Sequence, residues 1–141
     1  MDFKLSTERL DGTGGLLLAV DGDLDIATVP ALATPATTVV RSARPLLLDL
    51  SGCSFLDSVG LRFVLRIRNA LAVVGKPMAV VTDHSQVKKL LSITGVDLTV
   101  PIFAELDEAI AWLGEDGAKG ATAPQWLLSP AGGPSPSFPG P

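Results

Sequence analysis

The stretch "LLLDLSGCSFLDSVGLRFVL", residues 46–65, decides the fold. It opens on Leu46-Leu47-Leu48-Asp49-Leu50, an apolar run of strand length without alternation, the pattern of a strand buried on both faces in a parallel sheet. Ser51-Gly52 ends that run. From about Ser58 to Val74 the apolar residues recur at helical spacing, and Gly75 stands where a helix commonly stops. Leu61, Val64, Leu65, Leu71 and Val74 supply an apolar face, and Arg62, Arg66 and Asn69 follow at i, i+4 and i+7 on another. At the junction of strand and helix an acid and a hydroxyl, Asp57 and Ser58, stand side by side between apolar flanks. Ser58 is expected as the N-cap, its oxygen over free backbone N–H groups.

Working outward, Phe3 to Thr7 alternates apolar and polar like a half-exposed strand, and Asp11-Gly12 with Gly14-Gly15 marks a hairpin turn. Leu16 to Val20 is a more buried strand ended by "DGDLD". "ATVPALATPATTVVRSA" reads as a helix with Thr28 as N-cap and Pro30 in the tolerant first turn. Pro35 inside that helix would cost ~3 kcal/mol, so the helix is either kinked there or begins near Thr34. Pro45 starts the strand already described, which is expected through Leu50. Lys76 to Val81 is a further strand, and "SQVKKLLSITG" a helix with Ser85 as N-cap, Val87, Leu90 and Leu91 on one face and Gly95 as stop. Leu98 to Ile102 is expected as a short strand before a last helix, "ELDEAIAWL". This alternation predicts an α/β fold: a mostly parallel sheet with an antiparallel edge hairpin and helices packed on it.

The 141 residues suit one domain, over 1–113. Residues 114–141 are rich in Gly, Pro, Ala and Ser without apolar period and read as a flexible tail, in which Trp126-Leu127-Leu128 is the one apolar cluster, a weak packing patch or a linear docking motif. A net charge of −4 lacks the basic footprint of a duplex binder, so no nucleic-acid partner is expected. Cys53 is the only cysteine and excludes an internal disulfide; beside Phe55-Leu56 it reads as a small buried filler. The N-terminus lacks the layout of a signal peptide, and no apolar run approaches the ~18 residues of a membrane span. A reducing, cytoplasmic setting is expected.

Ligands of such sheets gather at the carboxyl ends of the parallel strands. Three loops fall there: Gly22 to Ala27, Ser51 to Ser58 and Thr82 to Ser85, carrying Asp23, Asp25, Asp57, Ser58, Asp83 and His84. Catalysis finds weak support. The run Asp57-Ser58-Val59-Gly60 is not a G-x-S-x-G elbow, His84 is the only candidate base, and no glycine-rich phosphate loop occurs. Asp23 and Asp25 have no partner at metal-ligand spacing and read as turn carboxylates. No cofactor or metal is expected. Ser58 remains with two readings, a cap worth ~1 kcal/mol or a switch. A phosphate there would add ~1.5–2 negative charges at the positive end of the helix dipole, with Arg62 one turn away to pair with it. Its effect would therefore come through a partner, by desolvation and repulsion at a docking surface.

Residues 46–65 closely resemble the core signature of STAS domains, the fold of sulphate transporter tails and bacterial anti-sigma factor antagonists. The matching residues are Asp49-Leu50-Ser51 and Asp57-Ser58-Val59-Gly60-Leu61, and "VDGDLDIATVPAL", residues 20–32, resembles the family's second motif, an acid-Leu-Asp run leading into a helix. The resemblance spans about residues 3–113. It implies an anti-sigma factor antagonist that binds an anti-sigma factor serine kinase, releases the sigma factor, and is switched off by phosphorylation at Ser58; a metal-dependent serine/threonine phosphatase resets it. It implies a substrate and ligand, not an enzyme, with Asp25, Asp57, Ser58, Val59, Gly60 and Arg62 on the partner surface. Arg62 departs from the small residue frequent there in the family, and Pro35 and the tail are also unusual. Two other readings stay open: a constitutive STAS scaffold whose Ser58 is only a cap, and a small-ligand or nucleotide-binding domain using Asp25, Asp57 and Ser58.

Overall fold

Each parallel step of this chain moves one strand over in the same direction, and that repetition decides where the helices lie. The computed structural model describes residues 3–115. Its elements are β1 (Lys4–Leu10), β2 (Gly15–Asp21), α1 (Val29–Ser42), β3 (Leu46–Gly52), α2 (Ser58–Val73), β4 (Met78–Val81), α3 (Ser85–Ile93), a 3₁₀ turn (Val96–Leu98), β5 (Ile102–Phe103) and α4 (Leu106–Glu115). The sheet order is β1-β2-β3-β4-β5, with β1 antiparallel to β2 and every other pair parallel. Crossovers of one hand, all stepping the same way, put α1, α2 and α3 on one face. The expected mixed sheet with an antiparallel edge is therefore present.

Strand alternation divides the core in two. Leu16, Leu18, Val20, Leu46, Leu48, Leu50, Met78 and Val80 pack with Leu32, Val39, Phe63, Val64, Ile67, Leu71, Val87 and Leu91 of the three helices. Leu17, Leu47, Ala79 and Val81 face the other way and meet Ala109 and Leu113 of α4. This double burial explains the unbroken leucine run in β3.

One open alternative is decided and three local expectations are corrected. Helix α1 runs unbroken from Val29 through Pro35, because Leu32, Ala36 and Val39 bury one stripe on both sides of the proline; a start near Thr34 is excluded. Leu98 to Val100 is not strand: Val96 and Val100 turn inward at helical spacing, the Val100 N–H donates to the Val96 carbonyl at 2.9 Å, and Leu98 is 86% exposed. Only Ile102–Phe103 pairs with β4. Ser85 is the first residue of α3, after His84 at the N-cap. Val74 lies past the end of α2 and is 49% exposed, whereas Phe63, Ile67 and Ala70, absent from the expected apolar face, are buried. The expected stop holds, with Gly75 at φ +72°. Helix α4 reaches Glu115; the segment with Trp126 lies outside the described residues.

Candidate functional site

The loops after β2 and β3 are held together by backbone, and this brings Asp25, Asp57 and Ser58 to one place. Leu24 and Leu56 form an isolated parallel bridge. The Leu24 N–H donates to the Phe55 carbonyl at 3.0 Å and the Asp57 N–H to the Leu24 carbonyl at 3.3 Å. Leu24 and Leu56 are fully buried, so the next residues on the two strands of the bridge, Asp25 and Asp57, emerge together. The third loop joins from α3. Gln86 clamps the peptide groups of Leu56, its Oε1 accepting from the Leu56 N–H at 3.0 Å and its Nε2 donating to the Leu56 carbonyl at 3.0 Å. His84 Nε2 donates to the Ser51 carbonyl at 2.8 Å; a carbonyl only accepts, so this nitrogen carries the hydrogen.

Asp57, not Ser58, caps α2, which corrects the expected cap. Asp57 has extended backbone, φ −102° and ψ −174°, and its Oδ1 accepts from the Gly60 N–H at 2.9 Å. Ser58 is the first helical residue, exposed, with the cap provided by its neighbour. Both residues are good caps by type. The bridge to Leu24 fixes the Asp57 backbone, and the cap follows from that. Gly60 is buried in the first turn against the Leu24 peptide: a β-carbon there would lie 3.0 Å from the Leu24 carbonyl carbon and inside contact of its oxygen. The helix start can approach the neighbouring loop this closely only without a side chain at Gly60. Asp57→Ala should accordingly cost about 1 kcal/mol in urea unfolding, and Ser58→Ala less than about 0.5 kcal/mol. The reverse order would restore the cap to Ser58.

Asp25 is half-buried and organises its own loop: Oδ1 accepts from the N–H groups of Ala27 at 2.9 Å and Thr28 at 3.1 Å. Thr28 occupies the N-cap position of α1, as expected, but its hydroxyl donates to the Asp23 carbonyl at 2.7 Å and makes no capping bond. Asp49 is similarly engaged, by the N–H and the hydroxyl of Ser51. Val59 is half-buried and Arg62 exposed one turn beyond Ser58. Two apolar side chains that composition did not single out flank this cluster, Ile26 at 71% and Phe55 at 43% exposure. Gln86 was also missed, since a glutamine in a first helical turn carries no signal of its distant partner. Cys53 is fully buried with its Sγ donating to the Phe55 carbonyl at 3.1 Å. Burial, aided by the charges of Asp23 and Asp25, pushes its thiol pKa up.

Chemically, this is an exposed hydroxyl on the positive end of a sixteen-residue helix, beside two carboxylates engaged in backbone bonds and two exposed apolar side chains. Such a surface can dock a protein and accept a phosphate. The only histidine of the three loops is committed to a backbone carbonyl. Among the described residues no group of three or more His, Cys, Asp or Glu side chains could hold a metal, and no helix is long and apolar enough to cross a membrane.

Comparison with known proteins gives the same family in three ways. The model of the STAS domain matches residues 4–109. The anti-sigma-F factor antagonist RsfB of Mycobacterium tuberculosis is 30% identical over 101 residues, 71% of this chain and 82% of the relative. The crystal structure of an anti-sigma factor antagonist from Mycobacterium paratuberculosis superposes with a TM-score of 0.69 at 29% identity, covering 79% of this chain and 94% of that one. The Bacillus cell fate determinant SpoIIAA in its phosphorylated form shares the fold, with a TM-score of 0.59 at 19% identity over 78% of this chain and 97% of that one.

Proposed function

The chain belongs to the STAS domain family, and from that premise we propose that it is an anti-sigma factor antagonist whose docking surface is switched by phosphorylation at Ser58. The observation that carries the reading is the division of labour at the start of α2: Asp57 caps the helix, and the Ser58 side chain is exposed. A modification of Ser58 therefore leaves the cap in place. The partner is an anti-sigma factor that is also a serine kinase; binding it frees the sigma factor. Asp25, Asp57, Ser58, Val59 and Arg62 border the contact, Ile26 and Phe55 supply exposed apolar area, and Gly60 acts from beneath by letting the helix sit close.

Transfer of the γ-phosphoryl group of ATP to the Ser58 hydroxyl, with loss of its proton and release of ADP, adds ~1.5–2 negative charges. The helix terminus and Arg62 accommodate them within the domain. In a dry interface, beside Asp25 and Asp57, the same charges cost desolvation and repulsion, and the complex separates. A metal-dependent serine/threonine phosphatase would restore the hydroxyl by hydrolysis. The chain itself is the substrate in both steps.

The test is incubation with ATP, magnesium and anti-sigma factor kinases of the same genome, read by intact mass, peptide mapping and partner affinity. One phosphate on Ser58 is expected, absent in Ser58→Ala, which should still bind and resist release by ATP. Ser58→Asp should bind at least about tenfold more weakly, although its single charge understates phosphate. No phosphate gain with a kinase that binds the domain would leave a constitutive scaffold in its place.

A further inference from the structure

The two edges of the sheet are unequal. The β5 edge is two residues long, whereas β1 presents seven, Lys4 to Leu10, which among the described residues are hydrogen-bonded on one side only, to β2. A long open edge offers a row of backbone donors and acceptors to any strand that fits it. Charges usually block such pairing, and β1 carries Lys4, Glu8 and Arg9, all exposed. Their positions, however, are self-complementary.

Lys4, Ser6 and Glu8 stand opposite Asp21, Ala19 and Leu17, and so lie on the α4 side of the sheet, where Leu17 packs. Leu5 lies on the other side and packs against the larger core. A two-fold axis perpendicular to the sheet keeps the faces unmixed and must pass midway between the two copies of one residue, on which the register is centred. Centred on Thr7, it sets Lys4 against Leu10 and Ser6 against Glu8. Centred on Leu5, it sets Lys4 against Ser6 and carries Glu8 past the start of the strand. Centred on Ser6, it sets Lys4 against Glu8 of the second copy, twice, with Ser6 facing Ser6 between the two pairs and Leu5 facing Thr7 on the other side. Only this register pairs opposite charges, and cross-strand pairs of this kind stabilise a sheet while like charges destabilise it. Neither side chain is otherwise committed: among the described residues the one ion pair within 4 Å is Lys88–Asp83, at 3.8 Å.

The geometry points to an antiparallel β1–β1 homodimer centred on Ser6, a continuous ten-stranded sheet with both α4 helices on one face. Because the second sheet runs in the reverse direction, the Ser58 ends of the two copies point opposite ways.

The test is sedimentation equilibrium of the full 141-residue chain and its variants. The parent should show a monomer–dimer equilibrium. Lys4→Glu and Glu8→Lys should each weaken it by at least about tenfold, because each reversal acts twice across the axis, and the double reversal should restore it to within about threefold. These differences should shrink in about 1 M salt. Ser6→Cys should oxidise to a covalent dimer and Thr7→Cys should not, as facing Cα atoms ~4.5–5.5 Å apart suit a disulfide and the native Cys53 is buried. A monomer at all concentrations would overturn the proposal. So would an association indifferent to the single reversals, which would have to run through another surface or through residues 116–141.

Discussion

Gly60→Ala should lower the stability of the domain by about 3 kcal/mol, a fall in Tm of about 10–20 °C at this size. The added methyl carbon would stand inside contact of the Leu24 carbonyl oxygen, 3.0 Å from its carbon and 2.7 Å from Leu56 Cδ1. A side-chain end can swing away, but the Leu24 peptide cannot. Its N–H donates to the Phe55 carbonyl and its carbonyl accepts from the Asp57 N–H, so the same peptide joins both loops. Alanine is intrinsically the better helix residue by about 1 kcal/mol, which makes a destabilisation diagnostic of the close approach. The displaced helix start would also move Asp57 and Ser58 relative to Asp25. Partner affinity should therefore fall in Gly60→Ala even well below its melting temperature. An unchanged or raised Tm would mean that α2 slides off Leu24 without resistance.

The native Cys53 thiol should react with alkylating reagents at least about 10³-fold more slowly than the same thiol in the unfolded chain. It is fully buried beneath the loop that leads to Ser58, and only opening of that loop or of the whole domain exposes it. The raised pKa adds a pH dependence of definite sign. Burial keeps the folded thiol protonated, with the carboxylates of Asp23 and Asp25 acting in the same direction. The unfolded cysteine ionises near pH ~8.5. Below that value both states are neutral and the group is silent. As pH rises through it, the unfolded state alone ionises, and stability falls until the folded thiol titrates. The urea midpoint should drop between about pH 7.5 and 9.5, and Cys53→Ala should abolish the part of that drop due to the thiol. Alkylation within about tenfold of the unfolded rate would show that the 51–57 loop opens by itself.

The alternation of elements was legible because each signal is local. The hairpin glycines, the unbroken leucines of β3, the helical spacing after Ser58 and the stop at Gly75 act within a few residues, and all are found in the structure. The Asp57-Ser58 pair and the acid loop around Asp25 were also legible, through their resemblance to a known family. The positions that were misread or left open share a different character. Pro35 left two starts for α1 open, and Leu32, Ala36 and Val39, buried on both sides of the proline, decide for the earlier one. Leu98 to Ile102 has the composition of a strand, yet β5 is limited to two residues and Val96 and Val100 turn inward together.

The sequence by itself determined the class of the fold, the order of its elements and the junction that holds the candidate site, since periodicity and turn chemistry are properties of neighbouring residues. Only the tertiary structure decided which of two adjacent capping residues holds the helix and which stays exposed. That choice rests on the Leu24–Leu56 bridge, the Gln86 clamp and the close seat of Gly60, contacts between segments about 30 residues apart. Either residue caps a helix equally well alone. A long-range contact of the backbone selected Asp57, and in doing so left the Ser58 side chain exposed.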